Sequence, residues 1–302
     1  MNRRFFLSSA AAALGTSMLP AIEPIKRTGK PQFLLGLAAY SFRESFPYMK
    51  GKEVKLKEGK TSLDMFQFMD LCRDHGCAGA ELTSYFFPPD ADDAYFLEVR
   101  RQAYLRGLFI SGTAIGNTWA LAKGPQLDEQ IEYTKLWIDR AALMGAPHIR
   151  VFAGSAEKGL SLEQATENCI QTYAHCAEYA AKKGVFLGME NHHGIVGEAD
   201  NLVKIIKTVD NPWTGINFDS GNFNTEDPYG DLEKIAPYAV NVQLKMVMKP
   251  KGKPEEPTDI PRVIKILKDV GYQGWFTLEY EDKEDPIIAV PRILKELKPL
   301  LA

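Results

Sequence analysis

The chain has 302 residues, of which 45% are hydrophobic and 25% charged, and this composition is typical of a globular protein. A chain of this length buries enough apolar surface to fold without disulfides or a structural metal. Its formal net charge is −3, so the sequence lacks the excess of lysine and arginine that a nucleic-acid surface needs.

The first 25 residues are predicted to be a targeting segment. Arg3 and Arg4 are followed by an apolar run of small residues that extends from Leu7 to Leu19. A basic start before a short apolar stretch is typical of a secretory signal and is too short to span a bilayer comfortably. The adjacent arginines resemble a twin-arginine signal, and an ordinary secretory signal is the alternative. We therefore expect an exported, periplasmic protein with no stable membrane span after processing, whose folded domain covers residues 32–302.

Short apolar runs alternate with amphipathic helical segments from residue 33 onward. The runs are rich in valine, isoleucine, leucine and phenylalanine, as buried parallel strands are. The predicted strands are Phe33–Tyr40, Ala78–Thr83, Leu108–Thr113, His148–Phe152, Val185–Glu190, Thr214–Asp219, Val240–Lys245 and Trp275–Glu279. The predicted helices are Ser62–His75, Ala91–Arg106, Asp128–Met144, Ser161–Lys183, Glu198–Val209, Gly230–Ala236, Ile260–Val270 and Ile287–Leu300. Eight such units predict a parallel sheet that closes into a single α/β barrel, the (β/α)8 or TIM barrel.

Two other segments and the cysteines are interpreted without a functional role. Residues 50–60 are rich in lysine but also hold two glutamates, so we expect a solvated loop or a short hairpin. Residues 248–257 follow the seventh strand and are predicted to form a loop on the same face of the barrel as the strand ends. The spacing of the four cysteines does not match a zinc motif, and we expect buried free thiols.

Oxygen-bearing residues stand at the carboxyl ends of the last four predicted strands. They are Glu190, Asp219, Gln243 and Glu279, which lie 29, 24 and 36 residues apart, about one strand–helix unit each. Each is flanked by apolar residues, so the alternation of a strand points it toward the barrel axis. Active sites of such barrels lie at this end of the strands. We therefore expect the four side chains to meet around one point.

A divalent metal ion is the expected partner of these four side chains. Three carboxylates cannot all stay ionised in a low-dielectric cavity without a compensating charge. Carboxylate and amide oxygens form a hard donor set, which favours Mn²⁺ or Mg²⁺, with Co²⁺ or Zn²⁺ as alternatives.

At these residues the sequence resembles the xylose isomerase-like TIM-barrel superfamily, which includes sugar phosphate isomerases and epimerases and the family 2 AP endonucleases. The motifs that carry the resemblance are Met189-Glu190-Asn191-His192, Phe218-Asp219-Ser220-Gly221-Asn222, Val242-Gln243-Leu244-Lys245 and Leu278-Glu279-Tyr280. The resemblance implies a metal bound by Glu190, Asp219, Gln243 and Glu279, although a histidine is commoner than Gln243. Asn222 also departs from the family, because ketose 3-epimerases often carry a histidine there.

The same resemblance implies proton transfer between two glutamates, Glu190 and Glu279, through an enediolate that the metal stabilises. Return of the proton to the opposite face is epimerisation, and return to the adjacent carbon is isomerisation. Loss of a substituent would make the protein a dehydratase, or a lyase or hydrolase acting on 3-keto-glycosides. The substrate-binding residues are predicted to be His192, Lys245, Asn222, Glu81 and Arg150, with a carboxylate paired to Arg150.

Two other functions were weighed against a sugar isomerase. An endonuclease of the same barrel type would need several histidine ligands and a basic groove, and this chain has five histidines and a negative charge. A barrel that binds carbohydrate without turning it over is the alternative from another class. Export favours an unphosphorylated small carbohydrate or keto-sugar as the partner, and a homo-oligomer is compatible with the sequence.

Overall fold

The computed structural model describes residues 23–301, and its centre is a closed barrel of eight parallel strands. The strands are β1 (Gln32–Ala38), β2 (Gly79–Glu81), β3 (Phe109–Ala114), β4 (His148–Val151), β5 (Phe186–Glu190), β6 (Thr214–Asp219), β7 (Ala239–Leu244) and β8 (Gln273–Leu278). Each strand pairs with its neighbours in the chain, and β1 closes the barrel by pairing with β8 as well as β2. The predicted α/β barrel is therefore confirmed.

Eight helices follow the strands in turn. They are α1 (Met65–Asp74), α2 (Asp93–Leu105), α3 (Pro125–Met144), α4 (Leu162–Lys183), α5 (Ala199–Val209), α6 (Pro228–Ile235), α7 (Ile260–Asp269) and α8 (Pro286–Leu301). Among residues 23–301, no helix combines the length and the apolarity needed to cross a membrane. The predicted targeting segment lies outside the described residues, apart from its last three positions.

The helix boundaries follow capping chemistry. α1 begins three residues later than expected, because the Asp64 side chain accepts a hydrogen bond from the Gln67 backbone N–H and the Gln67 side chain accepts one from the Asp64 backbone N–H. α3 begins three residues earlier than expected, at Pro125, whose missing N–H costs nothing in the first turn. α4 ends where Gly184 adopts φ of +70°, a conformation that favours glycine.

Two short hairpins decorate the carboxyl end of the barrel. Tyr48–Met49 pairs with Lys52–Glu53 in the loop after β1, and Val247–Met248 pairs with Glu256–Pro257 in the loop after β7. The first hairpin includes the start of the lysine-rich stretch, for which a short hairpin was one of the two expected structures. All four cysteines are buried and free, as expected.

The barrel interior is polar and contains several glycines. His148 projects inward from the start of β4 and its ring occupies space left by two glycines on the flanking strands. A Cβ on Gly188 would lie 2.2 Å from the His148 Nε2, and one on Gly112 would lie 3.1 Å from its Nδ1. Apolar packing instead lies between strands and helices, where Tyr173 on α4 is fully buried and donates a hydrogen bond to the Leu187 carbonyl.

Candidate active site

A cavity of about 450 Å³ opens at the carboxyl ends of the barrel strands. Its wall combines charged, aromatic and amide side chains, which come from the strand ends and from the loops that follow β1, β2, β5 and β6. They are Tyr40, Met49, Lys50, Tyr85, Arg150, Phe152, Glu190, His192, His193, Asn222, Lys245, Glu279 and Glu281. Six of the nine residues predicted for the site line this cavity, and the other three, Glu81, Asp219 and Gln243, are fully or almost fully buried nearby.

Glu190, the last residue of β5, is held from two sides. Its Oε2 lies 2.9 Å from Arg150 Nε, and its Oε1 accepts a hydrogen bond of 2.6 Å from the Asn222 amide. Arg150 also donates to the Ile115 carbonyl and lies over the Phe152 ring. Burial raises the pKa of Glu190 to about 7, with Arg150 opposing the shift and Glu279 adding to it. The expected carboxylate partner of Arg150 is thus Glu190.

Asp219, the last residue of β6, is buried and incompletely paired. Its backbone N–H donates to the side chain of Asn191, and its Oδ1 accepts from the Gly221 N–H. Within residues 23–301 its Oδ2 has no hydrogen-bond partner, although Lys245 Nζ lies 3.7 Å away. Burial raises the pKa of Asp219 well above its ordinary value.

Lys245 places an ammonium group between three carboxylates. Its Nζ lies 3.0 Å from Glu279 Oε1 and 3.7 Å from Asp219 Oδ2, and it also pairs with Glu281. Burial alone would lower the pKa of Lys245, but these carboxylates raise it well above its ordinary value. We call Arg150, Glu190, Asp219, Lys245 and Glu279 the charged cluster.

Gln243 belongs to a separate group of hydrogen-bonded side chains, which we call the amide network. Its Nε2 donates to Glu81 Oε1 at 2.7 Å, and its Oε1 accepts from Asn217 Nδ2 at 2.7 Å. Asn241 completes the network by donating to Asn217 at 2.8 Å. Burial raises the pKa of Glu81 to about 7, and the charge of Glu279 adds to the shift. The Gln243 oxygen is therefore engaged with an amide in this arrangement.

Two neighbouring histidines lie at the edge of the cavity with their rings tilted against each other. The His192 ring lies 4.6 Å from Phe152 and 4.1 Å from His193, measured between ring centroids. Burial lowers the pKa of His192 to about 3, and His193 and Arg150 add to the shift, so its imidazole is neutral near pH 7. His193 also lines the cavity, because the strand ends at Glu190 and strict alternation stops there.

Several residues of the site were not predicted. Asn217 and Asn241 stand two residues before Asp219 and Gln243, so strand alternation could have found them. Glu281 stands two residues after Glu279. Met49, Lys50 and Tyr85 come from loops, where the sequence has no comparable periodicity.

The donor chemistry of the charged cluster suits a hard divalent cation in part. Three carboxylates converge there, and the unpartnered Asp219 Oδ2 is a free, buried ligand atom. Gln243 does not offer its oxygen as placed, and within residues 23–301 no group of three or more His, Cys, Asp and Glu side chains is arranged to enclose a metal. Lys245 takes the position of a counter-ion to Asp219 and Glu279. A metal ion and this ammonium would therefore compete for the same carboxylates.

Comparison with solved structures gives barrels of the same kind over most of the chain. D-psicose 3-epimerase from Clostridium cellulolyticum H10, solved with D-tagatose, matches with a TM-score of 0.66 and 14% identity over 87% of this chain and 89% of that one. The 3-keto-D-glucoside 4-epimerase of E. coli matches at 0.65 and 15%, over 89% and 100%. The IOLI protein, solved with a bound zinc atom, matches at 0.65 and 14%, over 88% and 96%. At these identities the matches show the fold alone.

Sequence comparison identifies the family of this chain. No curated protein matches this chain. The family profile described as the xylose isomerase-like TIM barrel matches residues 69–297, which is more than half of the chain. The chain therefore belongs to the xylose isomerase-like TIM barrel family.

Proposed function

We propose that this protein is a sugar isomerase or epimerase that moves a proton on a carbon beside a carbonyl group. The observation that carries the proposal is the pair of glutamates, Glu190 and Glu279, lining one cavity together with the cations Arg150 and Lys245. The cavity lies at the end of the barrel where such enzymes do chemistry. Two solved barrels with this fold are named as sugar epimerases, which supports the same class.

Glu190 is the proposed general base. Arg150 and Asn222 each contact a different carboxylate oxygen, so the group has a fixed orientation. A base with a pKa near 7 is suited to accept a proton at neutral pH. Removing the proton from a carbon between a carbonyl and a hydroxyl sends its electrons to the carbonyl oxygen and gives an enediolate.

Glu279 is the proposed acid that donates a proton to the enediolate, while the proton taken from carbon stays on Glu190 until it exchanges with solvent. Donation to the opposite face of the same carbon is epimerisation, and donation to the former carbonyl carbon is isomerisation. The ammonium of Lys245, 3.0 Å from Glu279, places positive charge where the enediolate oxygens would be negative. The neutral imidazole of His192 can bind a sugar hydroxyl, either as donor or as acceptor.

A divalent cation held by Glu190, Asp219 and Glu279 would supply Lewis-acid polarisation of the carbonyl. Mn²⁺ and Mg²⁺ suit these oxygens best. The zinc atom in the IOLI protein supports a metal in a barrel of this family.

The proposed substrate is an unphosphorylated sugar or keto-sugar. The proposed site of action is outside the cytoplasm, on the strength of the arginine pair Arg3 and Arg4 before an apolar run. Sugar phosphates are scarce there. The cavity also carries balanced charge, with the cations Lys50, Arg150 and Lys245 facing the carboxylates of Glu190, Glu279 and Glu281.

The test is proton NMR of ketoses and 3-keto-glycosides in D₂O with the protein and added Mn²⁺. We expect deuterium to enter the carbon beside the carbonyl and a new epimer or isomer to accumulate. Elimination products without exchange would assign a lyase instead. Binding with neither exchange nor product would overturn the proposal in favour of a non-catalytic carbohydrate-binding barrel. Metal analysis of protein purified without chelator tests the cation separately.

A further inference from the structure

A second cavity, of about 310 Å³, adjoins the candidate active site. Residues from the hairpin after β1, the loops after β2 and β3, and the inner side of α3 line it. They are Lys50, Gly51, Ser84, Phe87, Pro88, Pro89, Gly116, Gln130, Tyr133, Trp137 and Arg140. Lys50 lines both cavities, so the two are immediate neighbours.

Two residues lie at the border between the cavities. Tyr85 belongs to the first cavity and Gly116 to the second, and a Cβ on Gly116 would lie 3.0 Å from the Tyr85 hydroxyl. Lys50 places its ammonium 4.6 Å from the centre of the Tyr85 ring. Lys50 and Tyr85 therefore mark the place where the two cavities meet.

The hairpin that carries Lys50 is held in place by its backbone. Lys50 has φ of +52° and Gly51 has φ of +76°, as a tight two-residue turn requires. The Lys50 N–H donates a hydrogen bond of 2.8 Å to the Tyr85 carbonyl, which ties the turn to the loop after β2. A lysine in this conformation is less stable than glycine would be, and here its side chain contacts both cavities.

The second cavity has a buried polar group and aromatic walls. Ser84 is buried and makes no hydrogen bond of standard geometry within the described residues, and its hydroxyl lies close to that of Tyr133. Phe87, Tyr133 and Trp137 supply aromatic surface. Small-molecule sites commonly combine mostly apolar walls with a few fixed polar groups, and volumes start near 300 Å³.

The cations of the second cavity do not make it an anion site. The Arg140 guanidinium lies 4.9 Å from the Trp137 ring and 5.1 Å from the Phe96 ring. Asp93 is also near enough to Arg140 to raise its pKa against the lowering effect of burial. Both Arg140 and Lys50 therefore already face aromatic rings.

We propose that the second cavity binds a second, neutral sugar ring, so that the substrate is a disaccharide or another glycoside rather than a free monosaccharide. This inference rests on the proposed function, because the first ring must occupy the candidate active site. The Ser84 hydroxyl bonds a hydroxyl of the second ring, and the glycosidic link passes Lys50 and Tyr85.

The test is saturation-transfer NMR of the full chain with maltose, cellobiose, trehalose and sucrose, compared with methyl glucoside and methyl glucuronide. We expect protons of both rings of at least one disaccharide to receive saturation. We also expect that disaccharide to bind at least about tenfold more tightly than methyl glucoside. Saturation of one ring only, or no saturation of any sugar, would overturn the inference. If methyl glucuronide displaces the disaccharide and methyl glucoside does not, the second cavity is an anion site and the inference is overturned.

The matched variants are Ser84→Ala and Ser111→Ala. Both serines are buried and make no hydrogen bond of standard geometry within the described residues, but Ser111 lines neither cavity. Losing one hydrogen bond to the sugar should weaken disaccharide binding about 2- to 10-fold in Ser84→Ala and leave it unchanged in Ser111→Ala. An equal effect of both would overturn the assignment of Ser84. Deuterium exchange into 3-keto-glycosides is measured separately. Exchange with contact to one ring only would overturn this inference alone, whereas contact to both rings without exchange would overturn the proposed function.

Discussion

The charged cluster and the amide network lie in the same barrel but satisfy their polar groups in different ways. The charged cluster balances buried carboxylates with Arg150 and Lys245, and leaves Asp219 Oδ2 without a hydrogen bond. The amide network joins Glu81 to neutral amides through hydrogen bonds of 2.7–2.8 Å between Gln243, Asn217 and Asn241. A charged group of an ion pair can bind a substrate or a cation in place of its partner. Breaking a hydrogen bond between buried amide side chains instead leaves a polar atom unpaired. The difference suggests that the charged cluster does chemistry and that the amide network supports it.

Removing the charge of Glu279 should produce the largest effect. Glu279→Gln takes away the proton donor, and we expect formation of the epimer or isomer to slow about 10²–10⁴-fold, while Glu190 still exchanges the substrate proton with D₂O. Lys245 keeps Glu281 and Asp219 as partners, so the fold should survive. Product formation and deuterium exchange, both measured by NMR, check this separation, and circular dichroism checks the fold. Glu281→Gln is the control. An equally large loss in that variant would contradict the assignment of proton transfer to Glu279.

Removing the ammonium of the charged cluster should lower stability next. Lys245→Met leaves buried carboxylates without their cation, which typically costs about 3–5 kcal/mol when one partner of a buried pair is removed. Added Mn²⁺ should restore more stability to this variant than to the wild type, since ammonium and metal compete for the same oxygens. Urea denaturation with chelator and with Mn²⁺ measures both effects. Lys265→Met, which removes an exposed ion pair with Asp269, serves as the control and should change little.

The buried histidine His148 should make the stability of the protein depend on pH. Burial lowers the pKa of His148 to about 3 from an ordinary value near 6.5, with Arg150 adding to the shift. The folded state then binds fewer protons than the unfolded chain, so stability from this group is lost as pH falls from 6.5 toward 3. The loss cannot exceed about 1.4 kcal/mol per pH unit. In His148→Leu, the free energy of unfolding should lose this part of its pH dependence; curves parallel to the wild type would contradict the assignment.

Glu81 should show the opposite sign, with a smaller effect. Its folded-state pKa of about 7 lies above the ordinary value of 4.5. Its contribution to stability is therefore fully present below pH 4.5 and is lost as pH rises through 7. Relative to the wild type, Glu81→Gln should gain stability between pH 5 and pH 8, measured by urea denaturation at several pH values. A constant difference across that range would show that Glu81 does not change its charge there.

Periodicity predicted the fold well because it is a repeated signal. Eight apolar runs and eight helical segments mark the barrel, and two of the boundary errors trace to local effects, the Asp64 cap and Pro125. The same alternation predicted that Glu190, Asp219 and Gln243 face the axis. It could not predict which inward groups would pair. Gln243 bonds to Glu81, which is 162 residues away, and that choice depends on the geometry of the closed barrel.

Loop residues were beyond this kind of prediction. Lys50 lies at the turn of a hairpin whose position depends on one backbone hydrogen bond to Tyr85. Its sequence surroundings are charged and give no apolar period, so the stretch was interpreted as solvated. The second cavity also combines α3 with loops that are far apart in the chain, and no spacing along the sequence indicates that neighbourhood.

The four buried cysteines affect whether unfolding of the protein is reversible. Cys72, Cys77, Cys169 and Cys176 are inert while folded, because burial raises the pKa of each thiol. An unfolded chain in oxidising surroundings would expose all four sulfurs and could cross-link them in wrong pairs. Unfolding there would become a one-way event, so the molecule would depend on having matured in a reducing compartment and on opening rarely afterward.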